Sequence, residues 1–395
     1  MFFSGSVKMK LALLVLAQFF ATSLWFAGNA VYPDLEAASS YAFQLTSSLT
    51  IAVQSGFILG TLFYAVFAIA DRFSPAKVFG LSALLAALMN LIMLLEVPFL
   101  GLFLSRLAVG FFLAGIYPIG MKIAADWADK GLGKSLGFLV GALVLGTAFP
   151  HILKGLGTDW PWRNVLLFTS IIAATGGLAM LLFVADGPNR RPGQALDLAA
   201  AFRVFRQPQF RAAAFGYFGH MWELYAFWAF VPVSLVYYQS VHPGEGGFNV
   251  PLWSFLVIGI GGLGCVLAGY LSARFGPKLI AALALAGSGL LCVVSPLLFM
   301  IPNAGLFIAF LLLWGLLVVA DSPLFSTMVA HNAPAESKGS ALTIVNCIGF
   351  AITIVSIQLL SVLQQEWLLS YSFILLSIGP AFGLWALLKK RALSR

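Results

Sequence analysis

The sequence predicts an all-α polytopic membrane protein of twelve spanning helices, and three observations carry that reading. Hydrophobic residues fill 61% of the 395 positions and charged residues only 9%, against roughly 25% charged in an ordinary soluble domain. No soluble fold hides that much apolar surface, so the solvent is largely lipid. The apolar residues gather into twelve runs near the length a bilayer requires, about 20 residues. Almost all charges fall between the runs.

In chain order the runs cover roughly 11–32, 45–70, 78–95, 98–121, 135–156, 164–185, 212–238, 251–272, 279–300, 304–330, 340–363 and 368–388. The first could pass for a signal peptide, with Lys8 and Lys10 ahead of "LALLVLAQFFA". Its apolar character continues past "AGNA" to Tyr32, however, and Trp25 has a possible counterpart in Trp228, so it reads as a span. Of the 22 Lys and Arg, Arg106 lies within a run, and Lys154 and Arg163 lie on one side of the membrane. The other 19 fall on the side that carries both termini. The positive-inside rule therefore puts both termini in the cytoplasm. The net charge of +8 follows from this placement, and no basic stripe on a soluble domain points to nucleic acid. Cys265, Cys292 and Cys347 lie inside apolar runs at no metal-ligand spacing, which suits small packing residues.

The longest hydrophilic stretch, "DGPNRRPGQALDLAAAFRVFRQPQFR" at 186–211, divides the chain into a first half (1–185) and a second half (212–395) of six spans each. It is either a basic linker or, in its middle, a short amphipathic helix whose arginines meet anionic headgroups.

The two halves share landmarks. "FAIADRFSPAK" at 67–77 returns as "GYLSARFGPK" at 269–278. Pro118 in "IYPIGM" returns as Pro323 in "DSPLFSTM", and Lys134 and Ser135 return as Lys338 and Ser340. Two parallel six-helix halves are a transporter architecture, with the substrate site between them near the midplane. On these residues the chain resembles the major facilitator superfamily over essentially its whole length. The family phrase between spans 2 and 3, Gly-x-x-x-Asp-Arg-x-Gly, survives as Asp71 and Arg72, with Phe67 and Ser74 in the glycine positions; the second copy keeps Gly269, Arg274 and Gly276. Arg106 and Gly110 match the family's Arg-x-x-x-Gly in span 4. The span 5 antiporter motif is met only in part, with Ala142 in place of its proline. The resemblance implies secondary active transport by rocker-type alternating access. It also implies that Asp71, Arg72 and Arg274 belong to a cytoplasmic gate between the halves. The spacing Gly137-x-x-x-Gly141 also suits close helix packing in lipid.

Ionisable residues inside spans cost about 2.5 to 3.5 kcal/mol each and mark function. Arg106 lies about 12 Å deep at 1.5 Å per residue, where its fork can grip a carboxylate or phosphate, or else pair with an acid or helix carbonyls. Glu223 shares one face of span 7 with Gly216, Gly219, His220 and Phe227. A buried carboxyl there can carry a coupling proton, with His220 as relay, or remain a neutral hydrogen-bonding group. Asp321 precedes Pro323 and either couples a proton or caps the half-helix starting there. Pro118 and Pro323 should kink spans 4 and 10.

Trp25, Tyr117 and Trp228 are deep enough to line a substrate cavity, or to pack between helices. The expectation is a monomeric proton-coupled transporter of a small or medium organic anion in the bacterial inner membrane, with no cofactor and no metal. The alternative is proton-driven export of amphipathic compounds. No phosphate-cradling Gly-x-x-x-x-Gly-Lys-Ser/Thr loop occurs, and no Gly-x-Ser-x-Gly or His-Glu-x-x-His motif, so direct ATP use and a polytopic membrane enzyme both lose support.

Overall fold

A computed structural model describes residues 7–38, 45–95, 97–127, 132–157, 160–190, 197–245, 247–334, 338–366 and 369–389. Within them the chain is helical, with no strand. Among the described residues, twelve helices are long and apolar enough to cross a membrane. Spans 1 to 6 are Val7–Ala37, Ser47–Val66, Pro75–Leu94, Phe99–Trp127, Ser135–Gly155 and Trp162–Phe183. Spans 7 to 12 are Pro208–Val241, Val250–Phe275, Pro277–Met300, Ala304–Asn332, Lys338–Gln364 and Ser370–Leu388. Each expected run is present, and several are longer. Span 4 continues to Trp127, which puts Lys122 and Asp126 on the helix rather than in the loop expected after residue 121. In the linker, Leu198–Val204 forms a short helix, while Arg191 lies outside the described residues.

Spans 4 and 10 break where their prolines sit. Span 4 is split into Phe99–Leu113 and Tyr117–Trp127, and span 10 into Ala304–Val318 and Ser322–Asn332. A proline has no N–H to return to the preceding turn, so a carbonyl is released at each break. In span 10 that carbonyl, on Val319, accepts from the Ser322 N–H at 3.1 Å and from the Cys265 thiol of span 8 at 3.2 Å.

A third break has no proline at the site. Span 1 separates into Val7–Thr22 and Ala27–Ala38. Thr22 Oγ1 bonds back to the Gln18 carbonyl at 2.8 Å, and Ser23 Oγ to the Phe20 carbonyl at 2.7 Å. Such back-bonding competes with the helix ladder and bends it. Span 7, its counterpart, runs unbroken for 34 residues.

The halves meet most extensively along spans 5 and 8 and along spans 2 and 11. Spans 5 and 8 approach at Gly141 and Gly262. A Cβ on Gly141 would lie 3.3 Å from the Gly262 carbonyl oxygen, and one on Gly262 3.1 Å from that of Gly141. Away from the termini the seam is also hydrogen-bonded: Ser361 Oγ to Ser47 Oγ at 3.0 Å, and Asn249 Nδ2 to the Gly155 carbonyl at 3.4 Å.

Candidate functional site

The aromatic residues of the seam make one cluster across the halves. Trp25 of span 1 lies 5.0 Å from Phe57 of span 2, 5.7 Å from Tyr225 of span 7 and 5.7 Å from Phe350 of span 11, measured between ring centroids. Phe57 and Phe350 are 4.3 Å apart, and Tyr225 and Trp228 are 5.2 Å apart. All five side chains are buried. The structure thus brings Trp25 and Trp228 into one group, linked through Tyr225. Tyr117 stands at the break of span 4, within electrostatic reach of Tyr225 of this group and of Tyr217 and Cys265. Phe57, Tyr225 and Phe350 complete the group.

Arg106 is fully buried behind this cluster. Its Nη1 donates to Asn90 Oδ1 at 2.9 Å; its Nη2 donates to the carbonyls of Leu24 at 3.0 Å and Trp25 at 2.7 Å. These carbonyls lie in the break of span 1, so the guanidinium occupies acceptors that the broken helix leaves open. Tyr32 lies beside it, its hydroxyl against the guanidinium as a further neutral neighbour. Among the described residues no carboxylate is in salt-bridge contact with Arg106. The residue is solvated by neutral groups and holds the backbone of Trp25.

The second half buries its acids differently. The Glu223 carboxylate receives three donors from two other helices: Trp314 Nε1 at 2.6 Å and Cys292 Sγ at 3.2 Å on Oε1, and Ser288 Oγ at 2.8 Å on Oε2. The face of span 7 that carries Glu223 therefore points into its own half, toward spans 9, 10 and 12; Gly219 lies against Gly379 of span 12. Tyr225 and Trp228, on another face, reach the seam.

His220 and Asp321 are brought together. Nδ1 lies 2.7 Å from Oδ1, and both side chains are buried. The approach is at contact distance but off the hydrogen-bond direction, and the second ring nitrogen has no partner. Asp321 occupies the N-cap position of Ser322–Asn332, yet its side chain makes no capping bond. The capping alternative is set aside: the carboxylate faces span 7 instead of its own helix.

The gate residues do not meet across the halves here. Asp71 pairs with Lys122 of span 4 at 2.7 Å, within the first half. Arg190 of the linker donates to the carbonyls of Asp71 at 3.0 Å and Phe73 at 2.8 Å, and pairs with Asp186, which also accepts from Ser74 Oγ at 2.6 Å. Arg72 is exposed, and Arg274 is exposed over the ring of Phe275 at 5.1 Å. The two copies of the phrase turn by different means. Gly276 sits at φ 86, where only glycine is unstrained, whereas in the first copy Ala68 takes the left-handed conformation at φ 49. Ser74, standing in a glycine position of the family phrase, caps span 3 from an extended conformation.

A bundle of twelve apolar helices, with paired proline breaks and an aromatic and polar seam between its halves, is the architecture of a multi-pass membrane protein. The chain matches the family profile of the Major Facilitator Superfamily over residues 14–357 and belongs to that family, so it is a secondary transporter. Its fold is similar to the crystal structure of a bacterial homolog of the human lysosomal transporter Spinster, in an inward-facing and unoccupied conformation. The TM-score is 0.69 at 16% sequence identity, covering 100% of both chains. A search of curated protein sequences finds no match.

Proposed function

We propose that this protein is a proton-coupled transporter of a small or medium organic anion, working by alternating access in the bacterial inner membrane with both termini cytoplasmic. The observation that carries the reading is the division of buried charge. The first half holds a cation, Arg106, whose described partners are all neutral; the second holds two carboxyls, Glu223 and Asp321, with His220 against one of them. An uncompensated buried charge costs several kcal/mol. An anionic solute beside Arg106 supplies the missing counter-charge.

His220 and Asp321 are the preferred proton site. With one proton shared, the pair is net neutral; without it, the pair carries −1 away from water. The cost of emptying it therefore differs between conformations that admit water and those that do not, which is what coupling requires. The pair also joins the unbroken span 7 to the break of span 10, where a rocking motion changes geometry most easily. Glu223, already held by three donors, is the less mobile acid. The seam bonds Ser47–Ser361 and Gly155–Asn249 join the halves on the face away from the termini, which supports an inward-facing reading of this state. A gate through Asp71, Arg72 and Arg274 belongs to the opposite state.

The aromatic cluster favours a second reading, export of an amphipathic compound by the same proton cycle. The test is proton movement in liposomes containing the purified protein and a trapped pH indicator, challenged with organic acids and with lipophilic cations. Acid-dependent alkalinisation of the donor side supports the anion reading. Movement with cations alone supports the second reading, and no proton movement with either overturns the coupling.

A further inference from the structure

One stripe of span 2 runs along the seam: Ser47, Thr50, Gln54, Phe57 and Thr61, spaced three and four residues apart and so on a single helical face. Its neighbours on either side of Gln54 are fixed. Ser47 meets Ser361 of span 11, Thr50 accepts from Asn29 Nδ2 of span 1 at 2.8 Å, and Phe57 packs on Trp25 and Phe350. Gln54 is therefore enclosed between span 1 and span 11, one turn from the aromatic cluster. It is 0% exposed, and neither its Nε2 nor its Oε1 has a hydrogen-bond partner. The indole N–H groups of Trp25 and Trp228 in the same cluster are also unpaired.

A buried amide with both ends unspent destabilises a fold unless something else uses it. From this we infer that Gln54 is a specificity-determining residue of the substrate site. Its amide, with the two indole N–H donors, reads hydroxyl or carbonyl groups on a planar aromatic acid that lies against the rings of Trp25 and Phe350, its carboxylate toward Arg106. The inference rests on the transport reading above and narrows its substrate class. Flat aromatic walls select a ring, and two N–H donors beside an amide select a ring bearing acceptors, since a polar site left unpaired by an unsubstituted analogue rejects it.

The test uses the full chain in detergent, as wild type, Gln54→Leu and Trp25→Phe, with benzoate, 3-hydroxybenzoate and succinate as probes in thermal unfolding. In the absence of probe, Gln54→Leu should melt at or above the wild-type midpoint, by about 2 °C, because an unsatisfied amide is removed. Wild type should be half-saturated at about tenfold lower 3-hydroxybenzoate than benzoate, and Gln54→Leu should lose that preference. Trp25→Phe, which keeps the ring and loses the N–H, should weaken both aromatic probes. A lower midpoint for probe-free Gln54→Leu would make the amide structural and overturn the assignment, as would an intact hydroxyl preference in that variant. Stabilisation by succinate alone would overturn the aromatic class and leave anion transport standing. Stabilisation by none of the three would overturn the aromatic class as well, and the liposome proton measurement decides separately whether coupled transport survives.

Discussion

Span 4 and span 7 each carry an ionisable side chain near mid-depth, and their surroundings differ in kind. Arg106 in span 4 is satisfied by an amide oxygen and by two main-chain carbonyls that exist as free acceptors only because span 1 is broken at their level. Glu223 lies in a helix of 34 residues that continues through Pro232, and it is satisfied by side-chain donors from spans 9 and 10. A cation in the first half thus depends on a deformed helix, and an acid in the second depends on well-packed neighbours. Asp321 falls between the cases: it sits at a helix break, yet uses neither the cap nor a donor cage, and meets His220. On the function proposed above, the difference separates charges that hold the architecture from one available for proton exchange.

The sharpest challenge to the first half is Arg106→Lys. The ammonium keeps the charge but cannot span Asn90 and two carbonyls at once. Organic-anion affinity should fall at least tenfold, about 1.4 kcal/mol, measured by substrate-dependent thermal shift. Equal affinity in the two proteins would make Arg106 a helix-holding charge only. In the second half the informative pair is Glu223→Leu against Glu223→Gln. Leucine leaves the Trp314 N–H buried without an acceptor, which should destabilise by about 1–3 kcal/mol. Glutamine keeps an oxygen for Trp314 and Cys292 and should melt within about 1 kcal/mol of wild type. If both variants melt alike, the donor cage contributes nothing. The smallest effect concerns the turn after span 2, where Ala68 holds φ 49. Ala68→Gly should raise stability by about 1 kcal/mol, since a left-handed non-glycine residue costs about 1–2 kcal/mol. The equivalent reversal, Gly276→Ala, should lower it.

These residues also mark how far the sequence could be read. The twelve spans are legible because lipid imposes one length and one polarity on each, and Pro118 and Pro323 announce their breaks through chemistry local to the chain. The break in span 1 is not announced: 23–26 is "SLWF", without glycine or proline, and the carbonyls it frees are taken by Arg106 from more than eighty residues away. The adjacent hydroxyls of Thr22 and Ser23 were the available hint. Glu223 was legible as a buried acid, but its partners Ser288, Cys292 and Trp314 come from other helices and carry no mark of that role in their own runs. Gln54 is legible only through its three-and-four spacing with Phe57 and Thr61, a helical face that composition alone hides.

The claim that the exchangeable proton belongs to His220 and Asp321, while Glu223 is held structurally, has one direct test. Uptake and counterflow of a transported organic acid are measured in liposomes under an imposed pH gradient, with wild type, Asp321→Asn and Glu223→Gln side by side. Asp321→Asn should lose accumulation against the gradient, its ratio falling to one, while substrate-for-substrate counterflow continues. Glu223→Gln should retain both. The reverse pattern, with accumulation kept in Asp321→Asn and lost in Glu223→Gln, would contradict the assignment and move the proton to span 7's caged acid.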